Sequence, residues 1–131
     1  MRALAAAAAA TIVLVACGSS GGQGSSRPTT TAQLVILSPT PNQVTGADVT
    51  LRFQVIGGTV LSPAQVTGPL RGDQGHIHVS LDGKLVQMAY STQAQLSGLA
   101  PGPHAVQASW VATDHLPFAN QVVADVLFTV R

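Results

Sequence analysis

The sequence predicts an all-β fold for most of this chain, and three features of the residue pattern support that prediction. Short runs in which apolar and polar residues alternate recur at intervals of roughly 8–12 residues, with turn-forming residues between them. No stretch beyond the N-terminal apolar run keeps the apolar period of an amphipathic helix. Only 8% of the residues are charged, all five acidic residues are Asp, and the strand-compatible residues Thr, Ser, Gln and Val are common. Together these features favour an antiparallel β-sandwich of about seven strands, of the immunoglobulin-like type.

The clearest predicted strand is the stretch from Gly75 to Gly83, which reads Gly-His-Ile-His-Val-Ser-Leu-Asp-Gly. Its side chains alternate between two faces, Ile77, Val79 and Leu81 on one and His76, His78 and Ser80 on the other. The pair Asp82-Gly83 is typical of a tight hairpin turn, because both central residues of such a turn need positive φ. We therefore expect Lys84 to Tyr90 to return as the antiparallel partner of this strand.

The remaining strands are bounded by Pro, Gly and Asn clusters. They are Gln33 to Ser38, Val49 to Ile56, Gln93 to Leu99, His104 to Ala112 and Gln121 to Val130. The stretch from Val60 to Val66 is ambiguous, because Pro63 would confine any strand there to a sheet edge. Thr67 to Gly75 and Thr113 to Asn120 are predicted to be the longest loops. Trp110 is the expected anchor of the core, because it offers the largest single apolar burial.

The N-terminus has the pattern of an export signal. Met1-Arg2 forms a short basic region, and Ala3 to Val15 forms an apolar run of about a dozen residues, shorter than the roughly 20 that span a bilayer as a helix. The run ends in Leu14-Val15-Ala16-Cys17, which resembles the lipobox of bacterial lipoproteins. That resemblance implies cleavage before Cys17, a covalent lipid on its thiol, and a location on the extracytoplasmic face of a bacterial cell membrane. The alternative is an ordinary secretory signal with a chance cysteine.

The segment from Gly18 to Thr31 is rich in Gly, Ser and Thr and is predicted to be a flexible tether. The expected organisation is a signal peptide over residues 1–16, the lipidated cysteine and tether over 17–31, and one domain over 32–131. Loss of Arg2 with the signal leaves five basic and five acidic side chains, so lipid rather than charge would hold the protein at the membrane. The absence of a basic run argues against nucleic-acid binding, and a single cysteine excludes an internal disulfide.

A second resemblance covers about Gly75 to Val130. The Gly-His-x-His strand, the later turn Pro101-Gly102-Pro103-His104 and the pair Asp114-His115 resemble a family of small secreted bacterial domains of uncharacterised function. The resemblance implies an immunoglobulin-like fold and an extracytoplasmic compartment. It implies no catalytic residues.

His76 and His78 suggest a metal site, because their Cβ atoms should lie on one strand face roughly 6.5–7 Å apart. Two imidazoles at that spacing can share copper or zinc if a neighbouring strand or loop supplies more ligands. His115 and His104 are the available imidazoles. Asp73 and Asp114 are the available oxygen donors.

Structural roles for the same residues stay open. His76 and His78 could be polar residues on a solvated face that hydrogen-bond across the sheet. His104 shares the parity of the core residues and is expected to cap the start of its strand, and His115 could bond its own loop backbone. Met88 could serve copper(I), but we expect it to pack.

The sequence argues against catalysis. It has no Gly-x-Ser-x-Gly elbow and no phosphate-binding glycine loop before a helix, and Cys17 would be occupied by lipid. We therefore expect a non-catalytic binding or scaffold module at the cell envelope, with an unknown envelope protein or ligand as partner. Leu70 and Phe118, one in each of the two longest loops, could dock that partner; alternatively, both could fold back over an open end of the sandwich.

Overall fold

The computed structural model describes residues 26–131, which form two β-sheets and no α-helix. The predicted signal peptide, Cys17 and most of the tether lie outside the described residues. The strands are β1 (Gln33–Ser38), β2 (Val44–Thr45), β3 (Val49–Ile56), β4 (Thr59–Val60), β5 (Gln74–Leu81), β6 (Lys84–Ala89), β7 (Gln93–Leu96), β8 (Gly102–Ala112) and β9 (Pro117–Val130). One short 3₁₀ turn, Pro63–Gln65, follows β4.

The two sheets differ in size. The smaller has the order β1-β3-β7, and the larger has the order β2-β9-β8-β5-β4, with β6 also pairing with β5. The predicted all-β sandwich is confirmed, with nine strands among the described residues in place of about seven. The two additional strands, β2 and β4, have two residues each and pair in parallel with β9 and β5. Two residues are too few to leave a periodic signal in a sequence.

The core lies between the sheets and is built from the faces that the alternation predicted. Ile77 and Val79 of β5 are fully buried, and Trp110 of β8 is 1% exposed, which confirms it as a core anchor. Strand β5 is paired with β8 from Gly75, opposite Ala112, to Leu81, opposite Val106. Strand β6 pairs with the other edge of β5 from Ile77 to Leu81. The backbone of His78 therefore has a paired strand on both sides, and that of His76 is paired with β8.

The predicted loop from Thr113 to Asn120 is wrong in its second half, because β9 begins at Pro117. A register shift after Trp110 pairs Val111 with Pro117. The pairing of β8 with β9 therefore continues almost to the turn that joins them. Phe118 is consequently 2% exposed and stacks on Trp110 with ring centroids 6.3 Å apart. The expectation that Phe118 is an exposed docking tip is therefore wrong, and this residue does fold back into the core. Leu70, in the loop before β5, is 38% exposed.

His104, near the start of β8, is held between two hydrogen-bond acceptors. One ring nitrogen lies 2.7 Å from Asp82 Oδ2 and the other lies 2.7 Å from the carbonyl oxygen of Ala100. Both nitrogens can donate only when the imidazole is protonated. The Ala100 carbonyl, and after it the Asp82 carboxylate, therefore raise the pKa of His104 above its ordinary 6.5. His104 thus secures the start of β8.

We expect the contribution of His104 to the free energy of unfolding to fall as the pH rises through its pKa. The folded protein keeps a proton there that the unfolded chain releases above its ordinary pKa, so the contribution is complete below about pH 6.5 and is lost above the folded-state pKa. Urea unfolding of the unsubstituted protein and of His104→Gln, which cannot titrate at this position, at about pH 6 and about pH 9 separates this contribution from the opposite pH dependence of His76 and His78. The difference in stability between the two proteins should shrink from about pH 6 to about pH 9, and an unchanged difference would contradict this assignment.

Candidate metal centre

Three histidines from two separate parts of the chain meet on the face of the larger sheet that points away from the core. His76 and His78 come from β5, and His115 comes from the turn between β8 and β9. The His76 ring lies 4.5 Å from the His115 ring and 5.0 Å from the His78 ring, measured between centroids. His76 is only 2% exposed because the turn covers it, so a solvated-face role for this residue is wrong.

His115 reaches the cluster because of the shape of its turn. Its backbone has φ of +67°, a left-handed conformation in which His is more often found than bulkier residues. Its amide donates to the carbonyl oxygen of Ala112 over 3.0 Å, and the Ala112 amide donates to Leu116 over 3.0 Å. Main-chain hydrogen bonds therefore close this turn, and the imidazole of His115 faces His76.

Arg27 fastens this turn to the segment that precedes β1. Its guanidinium makes a two-pronged ion pair with Asp114, at 2.8 Å and 3.0 Å, and also donates to the carbonyl oxygens of Leu116 and Pro117. Bidentate pairs of this kind fix orientation as well as adding energy. The Arg27 guanidinium holds the pKa of Asp114 below its usual range. His115 is thus positioned by contacts on both sides of it in sequence.

The proposed oxygen donors are already engaged. Asp114 is paired with Arg27, and Asp73 makes a two-pronged pair with Arg71, at 2.8 Å and 2.9 Å. Within residues 26–131, the potential metal-binding group contains His76, His78 and His115 and neither of these carboxylates. His104 is bonded elsewhere and does not join the group.

The spacing of the nitrogens is close to that of a coordination shell. The Nε2 atoms of His76 and His78 lie 3.1 Å apart, and the ligand atoms of all three histidines lie within 4.8 Å of one another. Metal–nitrogen bonds of about 2.0–2.1 Å place ligands of a tetrahedral ion roughly 3.3–3.4 Å apart. A small movement of the exposed His115 would therefore complete three sites of a tetrahedron.

The electrostatics keep the two strand imidazoles neutral. Burial, then the neighbouring His115 and His78, lower the pKa of His76 to about 4, although Asp114 acts in the opposite direction. Burial and His115 also lower the pKa of His78. A neutral imidazole is the form that ligates a metal. At neutral pH, a cation binding to His76 would therefore have almost no proton to displace there.

Two further residues lie beside the cluster: Tyr90, which the sequence did not single out, and Met88, which it offered as a possible copper(I) ligand but predicted to pack. The Tyr90 ring lies 5.1 Å from the His76 ring, and Met88 is the cross-strand partner of His78. The hairpin signal at Asp82-Gly83 places β6 beside β5, but it does not determine which β6 side chains share the face of His76 and His78. Arg27 left no signal, because its partner Asp114 is 87 residues away.

Neither a protein-family model nor a curated protein matches this chain.

Proposed function

We propose that this protein binds one zinc or copper ion through His76, His78 and His115. The observation that carries the proposal is the meeting of three imidazoles, from a central strand and from a distant turn, with their ligand atoms within 4.8 Å. Imidazole is a common ligand of both metals, and three protein ligands with an open fourth position form a familiar type of zinc site.

The cost of maintaining this cluster supports a functional role. Burying an imidazole is unfavourable unless its polar atoms are paired. His76 has its Nε2 paired only with a second histidine, which must supply the complementary tautomer. A single bond between two histidines contributes little to the stability of the fold, but it places two ligand nitrogens close together. These two nitrogens need to move only slightly to bind one ion between them.

The proposed location is the outer face of a bacterial membrane. Leu14-Val15-Ala16-Cys17 supports cleavage before Cys17 and attachment of lipid there, and two or three acyl chains would hold the protein stably. No helix within residues 26–131 is long and apolar enough to cross a bilayer. Intact-protein mass spectrometry of the membrane fraction distinguishes this assignment from an ordinary secretory signal.

A second candidate is a non-catalytic module that docks an envelope partner. Its specific support is Leu70, which is 38% exposed in the loop before β5 and lines an open cavity with Pro69 and Arg27. The burial of Phe118 removes the other half of that surface. The histidine cluster is therefore the better-supported site.

Calorimetric titration of the full chain in detergent, without a polyhistidine tag, tests metal binding. Every sample carries Cys17→Ser, because a free thiolate would itself bind either metal. We expect one zinc or copper ion per chain with a dissociation constant of about 1 μM or tighter. Absence of heat and of metal uptake at micromolar metal would overturn the proposal.

A further inference from the structure

We propose that the ion preferred at this site is copper(I), held by the thioether of Met88 together with the histidines. This inference rests on the proposed metal-binding function and names the fourth ligand and the metal. A thioether is a soft ligand that selects copper(I), whereas zinc prefers imidazole, carboxylate and thiolate. If the Met88 sulfur joins the three imidazoles as a ligand, the site therefore prefers copper(I) to zinc.

A β-bulge in the β5–β6 hairpin places Met88 beside the histidines. Counting back from Leu81 opposite Lys84 and Ser80 opposite Leu85, an uninterrupted hairpin would pair Met88 with Ile77 and point it into the core. The register shifts after Ser80, so that Val79 pairs with Gln87 and His78 pairs with Met88. Directly paired residues of antiparallel strands project to the same face. The extra residue thus moves the thioether from the core face to the histidine face.

The surroundings of Met88 suit a ligand better than a packing residue. Met88 is 40% exposed and is therefore not a core residue. Its sulfur lies 3.7 Å from the hydroxyl of Tyr90, whose ring lies beside His76. Met88 and Tyr90 therefore lie on the same face of the sheet as His76 and His78 and next to them.

The bulge itself adds a second indication. Bulges are common where a side chain must be redirected, including beside active sites. This bulge exposes a large apolar residue that a regular hairpin would have buried, which costs hydrophobic stabilisation. If Met88 is a metal ligand, this explains both why the exposed residue is a methionine and why it is paired with His78.

Metal titrations of the Met88→Leu variant test the inference, because leucine keeps the size and apolar character but removes the sulfur. The full chain in detergent, with Cys17→Ser throughout, is titrated with copper(I) in competition with bicinchoninate under anaerobic reducing conditions, and separately with zinc. We expect Met88→Leu to weaken copper(I) binding by roughly tenfold or more and to change zinc binding by less than about twofold. Leu85→Ala, farther along β6, is the matched control and should leave both affinities unchanged.

The outcomes separate this inference from the proposed function. Unchanged copper(I) affinity in Met88→Leu would overturn the role of the sulfur while leaving the histidine site in place. Equal weakening of copper(I) and zinc would also overturn it, because a merely structural role affects both metals alike. If the chain that keeps Met88, with Cys17→Ser, binds neither metal, the proposed function fails and the inference fails with it.

Discussion

The double substitution His76→Ala with His78→Ala should reduce zinc and copper affinity by more than about a hundredfold. Loss of a residue that merely orients a metal ligand already costs roughly 10–100-fold, and this change removes two direct ligands. It also removes the pair whose Nε2 atoms lie 3.1 Å apart. Calorimetry on the full chain measures the loss.

His104→Gln is the matched control, because it removes a histidine that lies outside the cluster and should leave metal affinity unchanged. Since His76 is buried, the double variant could lose stability as well as ligands. His115→Asn covers that case, because His115 is exposed and asparagine tolerates its left-handed backbone. Retention of full affinity in a folded double variant, or in His115→Asn, would contradict the three-histidine site.

Gly75→Ala should lower the free energy of unfolding by about 3 kcal/mol, the upper end of the usual cost of overpacking. A Cβ atom at this position would lie 2.1 Å from the carbonyl oxygen of Val111 and 3.0 Å from the indole of Trp110. Strands β5 and β8 are paired there, so the backbone must separate to admit it. A domain of this size has a total stability of roughly 5–15 kcal/mol, so the loss would be a large fraction.

Gly46→Ala is the matched control for this prediction. A Cβ atom at Gly46 meets nothing within 4 Å, and we expect a change of less than about 0.5 kcal/mol. Urea unfolding of both variants gives the comparison. A stability loss in Gly75→Ala no greater than that in Gly46→Ala would show that the paired strands β5 and β8 tolerate a methyl group at this position. Because Gly75 precedes His76, we also expect weaker metal binding in Gly75→Ala.

Alternation predicted the strands well wherever one face is buried. β1 and β3 have the predicted bounds, and β5 has the predicted inward and outward faces, because a period of two is a direct consequence of strand geometry. The end of a strand depends on pairing rather than on pattern. β9 therefore extends back to Pro117, where the β8 register carries it, although Pro and Asn in this stretch suggested a loop.

The candidate site could be predicted only in part. The two strand histidines follow from local spacing, but the approach of His115 depends on a turn whose position Arg27 helps to hold, and no local pattern contains that contact. Met88 shows the limit most clearly. One extra residue in β6 reverses the face to which it points, and a bulge of that kind leaves no distinct signature in the sequence.

X-ray absorption at the zinc edge of the zinc-loaded full chain, with Cys17→Ser, tests the histidine site most directly because it counts the ligands of the bound ion. We expect a four-coordinate first shell at about 2.0 Å, with multiple scattering from three imidazole rings. A shell of oxygen ligands with one imidazole or none would contradict a metal centre built from His76, His78 and His115.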